Sequence, residues 1–425
     1  MKMRPFGQLL PVETAVARLL RATHPVRGVE HLPLELAAGR VAARVHRART
    51  NVPPFARATW DGYALRSRDT RGAAPESPRG LRIVGEVFAE RALERALGPN
   101  ETAAIATGAA LPRGADAVII FEEAPVRGDW LTVRRYVRLG ERIAHPGDDF
   151  PRGATLVRPG ETLTPARLGA LAASGLTSTT VFRRPRVAII PNGNELVEPG
   201  RRLRGEQIYE SNNFVLSSFL RAAGAEPEPN PPVIDDPARI ERAIRRSLAR
   251  NDVVVLTGGS SVGERDFLPQ IFPRVGRLLF HGIAVRPGKP TLAASVGDRL
   301  LLGLPGHPTS CLSNCFWMLL PVLRKLGHCS GPGTVRTTVR LAEGYEIERG
   351  HLATVVPFRV ADGRAWPTFK GSSAITSLSS ANAYALLPPG HGSLRRGSAL
   401  DVELLPPPIG ESPYGPSPLR AATKR

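Results

Sequence analysis

The chain is poor in cysteine, lysine and aromatic residues. Three cysteines in 425 residues (Cys311, Cys315 and Cys329) cannot build a disulfide framework, so a reducing cytoplasm is the expected setting. Aromatics make up 6%, and no recognition helix, zinc finger or RNA-binding signature is legible, which argues against nucleic acid as a partner. No stretch approaches the roughly 18 uninterrupted apolar residues of a membrane span. The opening MKMRPFGQLLPVETAVARLL lacks an apolar core ending at a small-residue cleavage site, so no signal peptide is expected. Of 57 basic residues only five are lysine, a skew that reads as codon bias. The net charge of +19 nevertheless favours anionic partners such as phosphates or oxyanions.

What is present is an ordinary globular composition, 42% hydrophobic and 22% charged, long enough for two to four domains. The 42 glycines and 41 prolines cut it into short elements. Residues Val12–Ala22 read as a helix. From Asn51 to Arg142 short strands alternate with turns: Leu81–Val87, Glu101–Thr107, Ala117–Phe121, Trp130–Val137. A Leu/Ala helix is predicted over Thr162–Thr180, after the N-cap pair Thr164-Pro165. At Arg186 continuous apolar strands begin to alternate with helices: strands Arg186–Pro191, Val233–Ile234, Asp252–Thr257, Leu278–Val285, Thr291–Ser295 and Leu300–Leu304. The helices are Ser211–Ala223, with Phe214, Val215, Phe219 and Leu220 on one face, then Pro237–Arg250 and Thr309–Leu326. That texture predicts a parallel, doubly wound sheet. Beyond Gly331 short strands return, as in a small barrel or sandwich, and the Pro/Gly/Ser-rich tail from Pro406 reads as disordered.

In such a sheet ligands bind beyond the carboxyl ends of the strands. Four loops lie there: Asn192–Leu196, Thr257–Asp266 (TGGSSVGERD), Arg286–Pro290 (RPGKP) and Leu304–Ser310 (LPGHPTS). Their glycines would let N–H groups approach an anion, and the last loop opens a helix. Neither a P-loop nor a dinucleotide-binding glycine motif is present. No Gly-x-Ser-x-Gly elbow occurs either, so serine-hydrolase chemistry is not indicated. Each loop alone is a weak signal. Together they set Arg286 and Lys289 beside Glu195, Asp235, Asp236 and Asp266, which suits a phosphate ester bridged by a divalent cation. Two further clusters, WDGYA around Asp61 and His145–Phe150 (HPGDDF), lie outside this region and can equally be turns. His307, Cys311 and Cys315 share a helix face, but the apolar surroundings favour core cysteines over a metal site.

These pieces in this order resemble the molybdopterin molybdenumtransferases, the family of bacterial MoeA and the gephyrin E domain. The resemblance spans about residues 5–405. It rests on Trp60–Ala64, Ala106–Pro112 (ATGAALP), Ala115–Glu122, Pro146–Asp149, Pro191–Leu196, Ile208–Asn212 (IYESN), Thr257–Asp266, Ala284–Pro290, Leu304–Ser310, Arg349-Gly350 and Gly371–Ser373. It implies a multidomain α/β-plus-β fold. A molybdopterin-binding α/β domain would take 5–26 and 181–330. A linker domain would take 27–50 and 143–180, a β-rich insertion 51–142, and a β-barrel 331–405, with the tail at 406–425.

The activity implied is molybdenum cofactor biosynthesis: insertion of molybdate into adenylylated molybdopterin with release of AMP, dependent on Mg²⁺. A homodimer is implied, with the site between the α/β domain and the partner's insertion. A molybdopterin adenylyltransferase and molybdoenzymes are further possible partners. By match to the family motifs, Asp235 and Asp266 would hold the metal, with Glu195 adjacent. Arg286, Lys289, Ser310, Arg349 and Ser372 would form the molybdate pocket, and Asp61, Thr107 and Asp149 would come from the partner chain. Gly193, Gly258, Gly259, Ser260, Ser261, Gly263, Pro305 and Pro308 would line the cofactor. Asn194, His307, Arg286 and Trp60 depart from the family pattern, where Asp, Asn, Lys and Met are usual. The alternatives are tungstate in place of molybdate, a divergent paralogue, molybdopterin adenylylation, and a non-catalytic scaffold. The four-domain layout argues against adenylylation, and the retained acids and Lys289 argue against a scaffold.

Overall fold

The computed structural model describes residues 8–91, 93–260, 266–331, 333–347 and 350–405. Ser261, Gly263, Arg349 and the tail 406–425 lie outside the described residues. A six-stranded sheet organises the middle of the chain, in the order Glu226–Pro229, Arg186–Pro191, Val253–Thr257, Arg299–Leu304, Leu292–Val296, Arg277–His281. The first four strands run parallel, and Leu292–Val296 runs against both its neighbours, so the sheet is mixed. Alternation explains the apolar runs. Val187, Ile189, Val253 and Val255 face one core, with Val12, Ala15 and Leu19 of the helix Val12–Ala22. Ala188, Ile190, Val254 and Leu256 face a second core, with Ile240 and Ile244 of the helix Pro237–Leu248. A strand buried on both faces needs no polar side.

Several elements differ from the sequence expectation. The strand beside Arg186–Pro191 is Glu226–Pro229; Val233 makes only an isolated bridge to Asn192. The sequence EPEP survives as a strand because it sits at the sheet edge, where a missing N–H costs little. The helix after Thr164 is Pro165–Ala173, with Thr164 accepting from the Arg167 N–H, and Ser178–Phe182 is a strand. On the helix Asn212–Ala222 the buried face is Asn212, Leu216, Phe219 and Leu220, and Phe214 is 64% exposed. The strand expected over Leu278–Val285 stops at His281; Val285–Arg286 instead pairs with Ala353–Thr354. The last long helix is interrupted: Pro308–Asn314, a π-helical turn Cys315–Leu319, then Leu320–Leu326. Pro321 removes a backbone donor there, a common cause of such a bulge. Cys311 and Cys315 are fully buried in the core, as the apolar surroundings predicted, and burial pushes the Cys315 thiol well up.

The β-rich region forms its own six-stranded sheet, ordered Ala117–Ile120, Gly62–Leu65, Glu101–Ile105, Arg79–Val87, Trp130–Val133, Val126–Arg127. Three antiparallel ladders flank it and bring the two sides of the chain together: Val29–Pro33 with Ser178–Phe182, His46–Arg47 with Thr155–Val157, and Arg57–Ala58 with Ile143–Ala144. At the C-terminal end five strands close into a barrel, Ala353–Ala361, Arg364–Pro367, Val335–Leu341, Ala399–Leu404 and Ala383–Leu387, the last pairing back to the first. Closure removes the open edges that a sheet of this size would otherwise present.

Candidate active site

The four loops do meet at the carboxyl edge of the α/β sheet, and side-chain amides hold them there. Asn192, 5% exposed, follows the strand Arg186–Pro191; its amide nitrogen reaches the carbonyls of Gly258 (3.0 Å) and Thr257 (3.1 Å). Gly258 and Gly259 have φ of +94° and +61°, and a Cβ at either would lie 2.6 Å from Asn192. These glycines are required by close approach as well as by conformation. Gly306 of the fourth loop presses on Gly258, and its carbonyl accepts from Asn212 Nδ2 at 2.8 Å. Asn314 clamps the third loop. Its Nδ2 donates to Thr291 Oγ1 (2.7 Å), while Thr291 Oγ1 donates to the Gly288 carbonyl (2.7 Å). A Cβ on Gly288 would fall 2.2 Å from Asn314 Oδ1.

The expected anion-binding N–H groups are partly spent on this scaffold. Gly193 N–H donates to the Val233 carbonyl (3.1 Å) and Gly258 N–H to that of Leu304 (3.1 Å). Ser260 is buried and its hydroxyl donates to the Leu304 carbonyl at 3.3 Å. These three groups shape the loops and are not free donors to a ligand.

The acids divide into two kinds. Asp236 caps the helix Pro237–Leu248, its Oδ1 accepting from the Arg239 N–H at 2.7 Å. Asp235 beside it keeps its carboxylate clear of any hydrogen bond among the described residues, while its N–H donates to Asn194 Oδ1 at 3.0 Å. Asn194 thus retains the acceptor that an Asp there would supply. Glu195 lies close by, its carboxylate oxygens 2.8 Å from where a Gly193 Cβ would be. Asp266 closes the second loop, close enough to His281 for their charges to interact. His281 Nε2 donates to the Ser260 carbonyl at 3.3 Å. Burial pushes its imidazole below the usual value, against the pull of that carbonyl and of Asp266.

Among the described residues no three carboxylate, imidazole or thiolate side chains gather closely enough to hold a metal. Glu195, Asp235 and Asp266 therefore form no ready-made three-ligand cage in this structure. That still suits Mg²⁺, which characteristically takes one or two carboxylates and completes its shell with water and substrate phosphate.

The basic loop and the barrel meet the fourth loop. Arg286 lies on the short strand against the barrel, near enough to Tyr345 for its charge to oppose the effect of burial on the phenol, whose pKa is raised. Lys289 is exposed and Ser310 buried. Pro305 is buried and Pro308 begins the helix Pro308–Asn314. His307 Nδ1 lies 3.2 Å from Ser372 Oγ, and Thr309 Oγ1 donates to the Ala374 carbonyl at 2.7 Å. The Asn-to-His departure thus gains a partner in the barrel loop. Ser372 thereby reaches the fourth loop.

The insertion assembles its own cluster. Asp61 Oδ1 accepts from the Thr107 N–H at 2.7 Å, joining WDGYA to ATGAALP. Gly62 is forced: a Cβ there would lie 2.0 Å from the Ile119 carbonyl. Thr59 N–H donates to the Arg142 carbonyl (3.0 Å) and Asp149 N–H to that of Val52 (3.0 Å), which draws the PGDD turn to the same end. Asp61, Thr107 and Asp149 are all exposed. Among the described residues no hydrogen bond or ion pair joins residues 51–150 to residues 186–405.

Asn192, Asn212 and Asn314 were present in the sequence without a role. Asn314 had one available signal: it lies four residues after Ser310, one helical turn on. His281 had none, since its neighbours Ser260 and Asp266 come from another part of the chain.

Comparison with known proteins covers the same ground. Residues 10–175 match the MoeA N-terminal region (domains I and II), residues 188–325 a probable molybdopterin binding domain, and residues 338–405 the MoeA C-terminal region (domain IV). The molybdopterin molybdenumtransferase of Bacillus subtilis is 30% identical over 405 residues, covering 93% of this chain and 94% of that one. The Staphylococcus aureus (strain COL) enzyme of the same name is 27% identical over 93% of this chain and 95% of its own. Among solved structures, a molybdopterin biosynthesis MoeA protein of Pyrococcus horikoshii superposes with a TM-score of 0.83 at 28% identity, covering 93% of this chain and all of that one. A second from the same source gives 0.77 at 34%, covering 93% and 99%. With its loops, acids and barrel in this arrangement, the chain belongs to the molybdopterin molybdenumtransferase family of molybdenum cofactor biosynthesis.

Proposed function

We propose that this transferase takes adenylylated molybdopterin, inserts molybdate into its dithiolene and releases AMP. The observation that carries this reading is the convergence of two unlike sets at one sheet edge: the carboxylates Glu195, Asp235 and Asp266, and the cationic and hydroxyl donors Arg286, Lys289, Ser310 and Ser372. A phosphoanhydride needs its charge neutralised, and a tetrahedral oxyanion needs charged donors; one class of group serves each.

Asp235 and Asp266 would hold Mg²⁺ at the adenylate phosphate, with Glu195 adjacent. The ion, when bound, would neutralise charge on the phosphoanhydride. Lys289 and Arg286 would fix the oxyanion, and Ser310 and Ser372 would orient it by hydrogen bonds, with Arg349 in the same role. The loops around Gly258, Pro305 and Pro308 would wall the pterin side. Asp61, Thr107 and Asp149 would act on the site of a second chain, which makes the working unit a homodimer of four-domain chains.

The test is direct. Purified protein incubated with adenylylated molybdopterin, Mg²⁺ and molybdate should release AMP and yield molybdenum-loaded cofactor. AMP release without metal insertion would overturn the reading, and tungstate in place of molybdate measures the oxyanion preference.

A further inference from the structure

The segment after Glu195 carries charge that the reaction above does not use. Strands Leu196–Val197 and Ile208–Tyr209 pair in parallel, and the loop 198–207 between them is braced from within. Arg201 N–H donates to the Glu198 carbonyl (3.3 Å), Arg204 N–H to Gln207 Oε1 (3.0 Å), and Tyr209 Oη to the Arg201 carbonyl (2.9 Å). With Pro231 and Pro232 this loop walls a cavity of about 570 Å³. Three arginines line it, Arg201, Arg202 and Arg204, all of them exposed. Glu198 is the one carboxylate among the lining residues, and Arg201 already pairs with it at 3.0 Å. Among the described residues Arg202 and Arg204 make no ion pair.

The cavity is placed for substrate. One wall continues directly from Glu195, and the other, Pro231-Pro232, leads into Asp235. Glu195 and Asp235 do not line the cavity themselves, but each is joined along the chain to one of its walls, and the guanidiniums of Arg202 and Arg204 are not neutralised by an ion pair among the described residues. Guanidiniums match phosphate oxygens by paired hydrogen bonds.

We propose that this cavity is a phosphate site of the enzyme, in which Arg202 and Arg204 grip one of the two phosphates joined in the phosphoanhydride of the adenylylated pterin. The inference rests on the function proposed above and deepens it. Two parts of that substrate carry the same chemistry, the adenylate and the phosphate of the pterin itself, and the two ligands are tested separately. The bland alternative is a pair of solvated arginines in an arginine-rich chain.

Titration calorimetry of the full chain with Mg²⁺ decides, using AMP in one arm and anaerobic molybdopterin in the other. Arg202→Gln/Arg204→Gln should weaken one of the two ligands about 10- to 100-fold and reduce the salt dependence of its affinity. Arg202→Lys/Arg204→Lys should recover part of the loss. The arm that moves names the phosphate held. The molybdate concentration giving half-maximal AMP release should not change, because the oxyanion donors lie elsewhere. Unchanged affinity for both ligands, with AMP release intact, overturns the phosphate site and leaves the proposed reaction standing. Weakened affinity in a protein that never inserts molybdate supports the phosphate site and overturns the proposed reaction.

Discussion

At the carboxyl edge of the α/β sheet the acid-bearing loops are seated by side-chain amides pressed against glycines; in the β-rich insertion they are seated by main-chain hydrogen bonds. The first region carries an Asp-Asp pair, the PGDD turn that adjoins the second carries another, and each pair spends one acid on local structure. Asp236 caps a helix, and Asp148 Oδ2 accepts from the His145 N–H at 2.6 Å to close the PGDD turn. Asp235 and Asp149 are left with no side-chain hydrogen bond among the described residues. An acid that caps satisfies an orphan N–H and gains stability; an acid left open at the surface is hydrated and costs the fold nothing, so it stays available to a ligand. The hydrogen-bond pattern distinguishes the two acids of an adjacent pair, twice.

The sharpest way to break that comparison is to exchange the roles. Asp235→Asn should cut AMP release by about 100-fold or more with little change in melting temperature, because a carboxylate facing the phosphate acts where charge develops. Asp236→Ala should leave turnover near wild type and lower stability by about 1 kcal/mol, the usual value of a helix cap. The same contrast is expected between Asp149→Asn and Asp148→Ala. Equal losses of turnover within a pair would show that the hydrogen-bond pattern does not mark function.

A smaller effect belongs to the cationic side of the site. Lys289→Ala removes a charge-assisted contact worth roughly 1.5–3 kcal/mol. The molybdate concentration for half-maximal insertion should rise about 10- to 150-fold, with binding of adenylylated molybdopterin nearly intact. Superimposable molybdate curves would sink the oxyanion assignment. The relation between the two regions is tested by mixing chains. If sites are shared across a dimer, an equimolar mixture of Asp149→Ala and Asp235→Ala chains should regain about a quarter of wild-type activity. Half of the randomly formed dimers are mixed, and each of those has one intact site in two. No recovery after subunit exchange is verified would place all the acids of one site in one chain.

Legibility followed burial. Arg186–Pro191 and Val253–Thr257 announce themselves because both faces are covered and the apolar run is continuous. Val12–Ala22 is read at its full length because Val12, Ala15, Leu19 and Ala22 repeat at helical spacing. Glu226–Pro229 was missed, since an edge strand with alternating prolines carries no such signal. Phe214 departs from the expectation because helical spacing, not hydrophobicity, sets the buried face: it runs 212, 216, 219 and 220, and Phe214 is exposed. At the site the loops were legible as loops, and the motif order pointed to the family. Their mutual seating was not, because Asn192, Asn314 and His281 act across sequence separations that no local pattern records. Nor could the sequence say which Asp of each pair would be used as a cap.

The smallest effect on turnover sharpens the comparison from the opposite edge of the sheet, where an acid is neither capping nor open but paired. Asp252 precedes the strand Val253–Thr257. Its two oxygens accept from Arg183 Nη1 and Nη2, both at 2.8 Å, and one of them also accepts from the Arg186 N–H at 2.8 Å. Burial alone would raise this carboxyl, but the Arg183 guanidinium and the Arg186 N–H outweigh it and hold it below the usual carboxylate range. A carboxyl lowered in the folded state binds its proton more weakly there than in the unfolded chain. Its contribution is therefore fully present above the unfolded pKa, near 4, and is lost as pH falls through the lower folded value. Asp252→Asn should cost about 1–3 kcal/mol at pH 7, and its deficit relative to wild type should shrink steadily below pH 4. Turnover at pH 7 should be unaffected, since this end of the sheet is remote from the four loops. Urea denaturation at pH 7, 4 and 3 measures the difference. A deficit of the same size at all three values would mean that Asp252 stabilises by packing, and that its ion pair adds nothing.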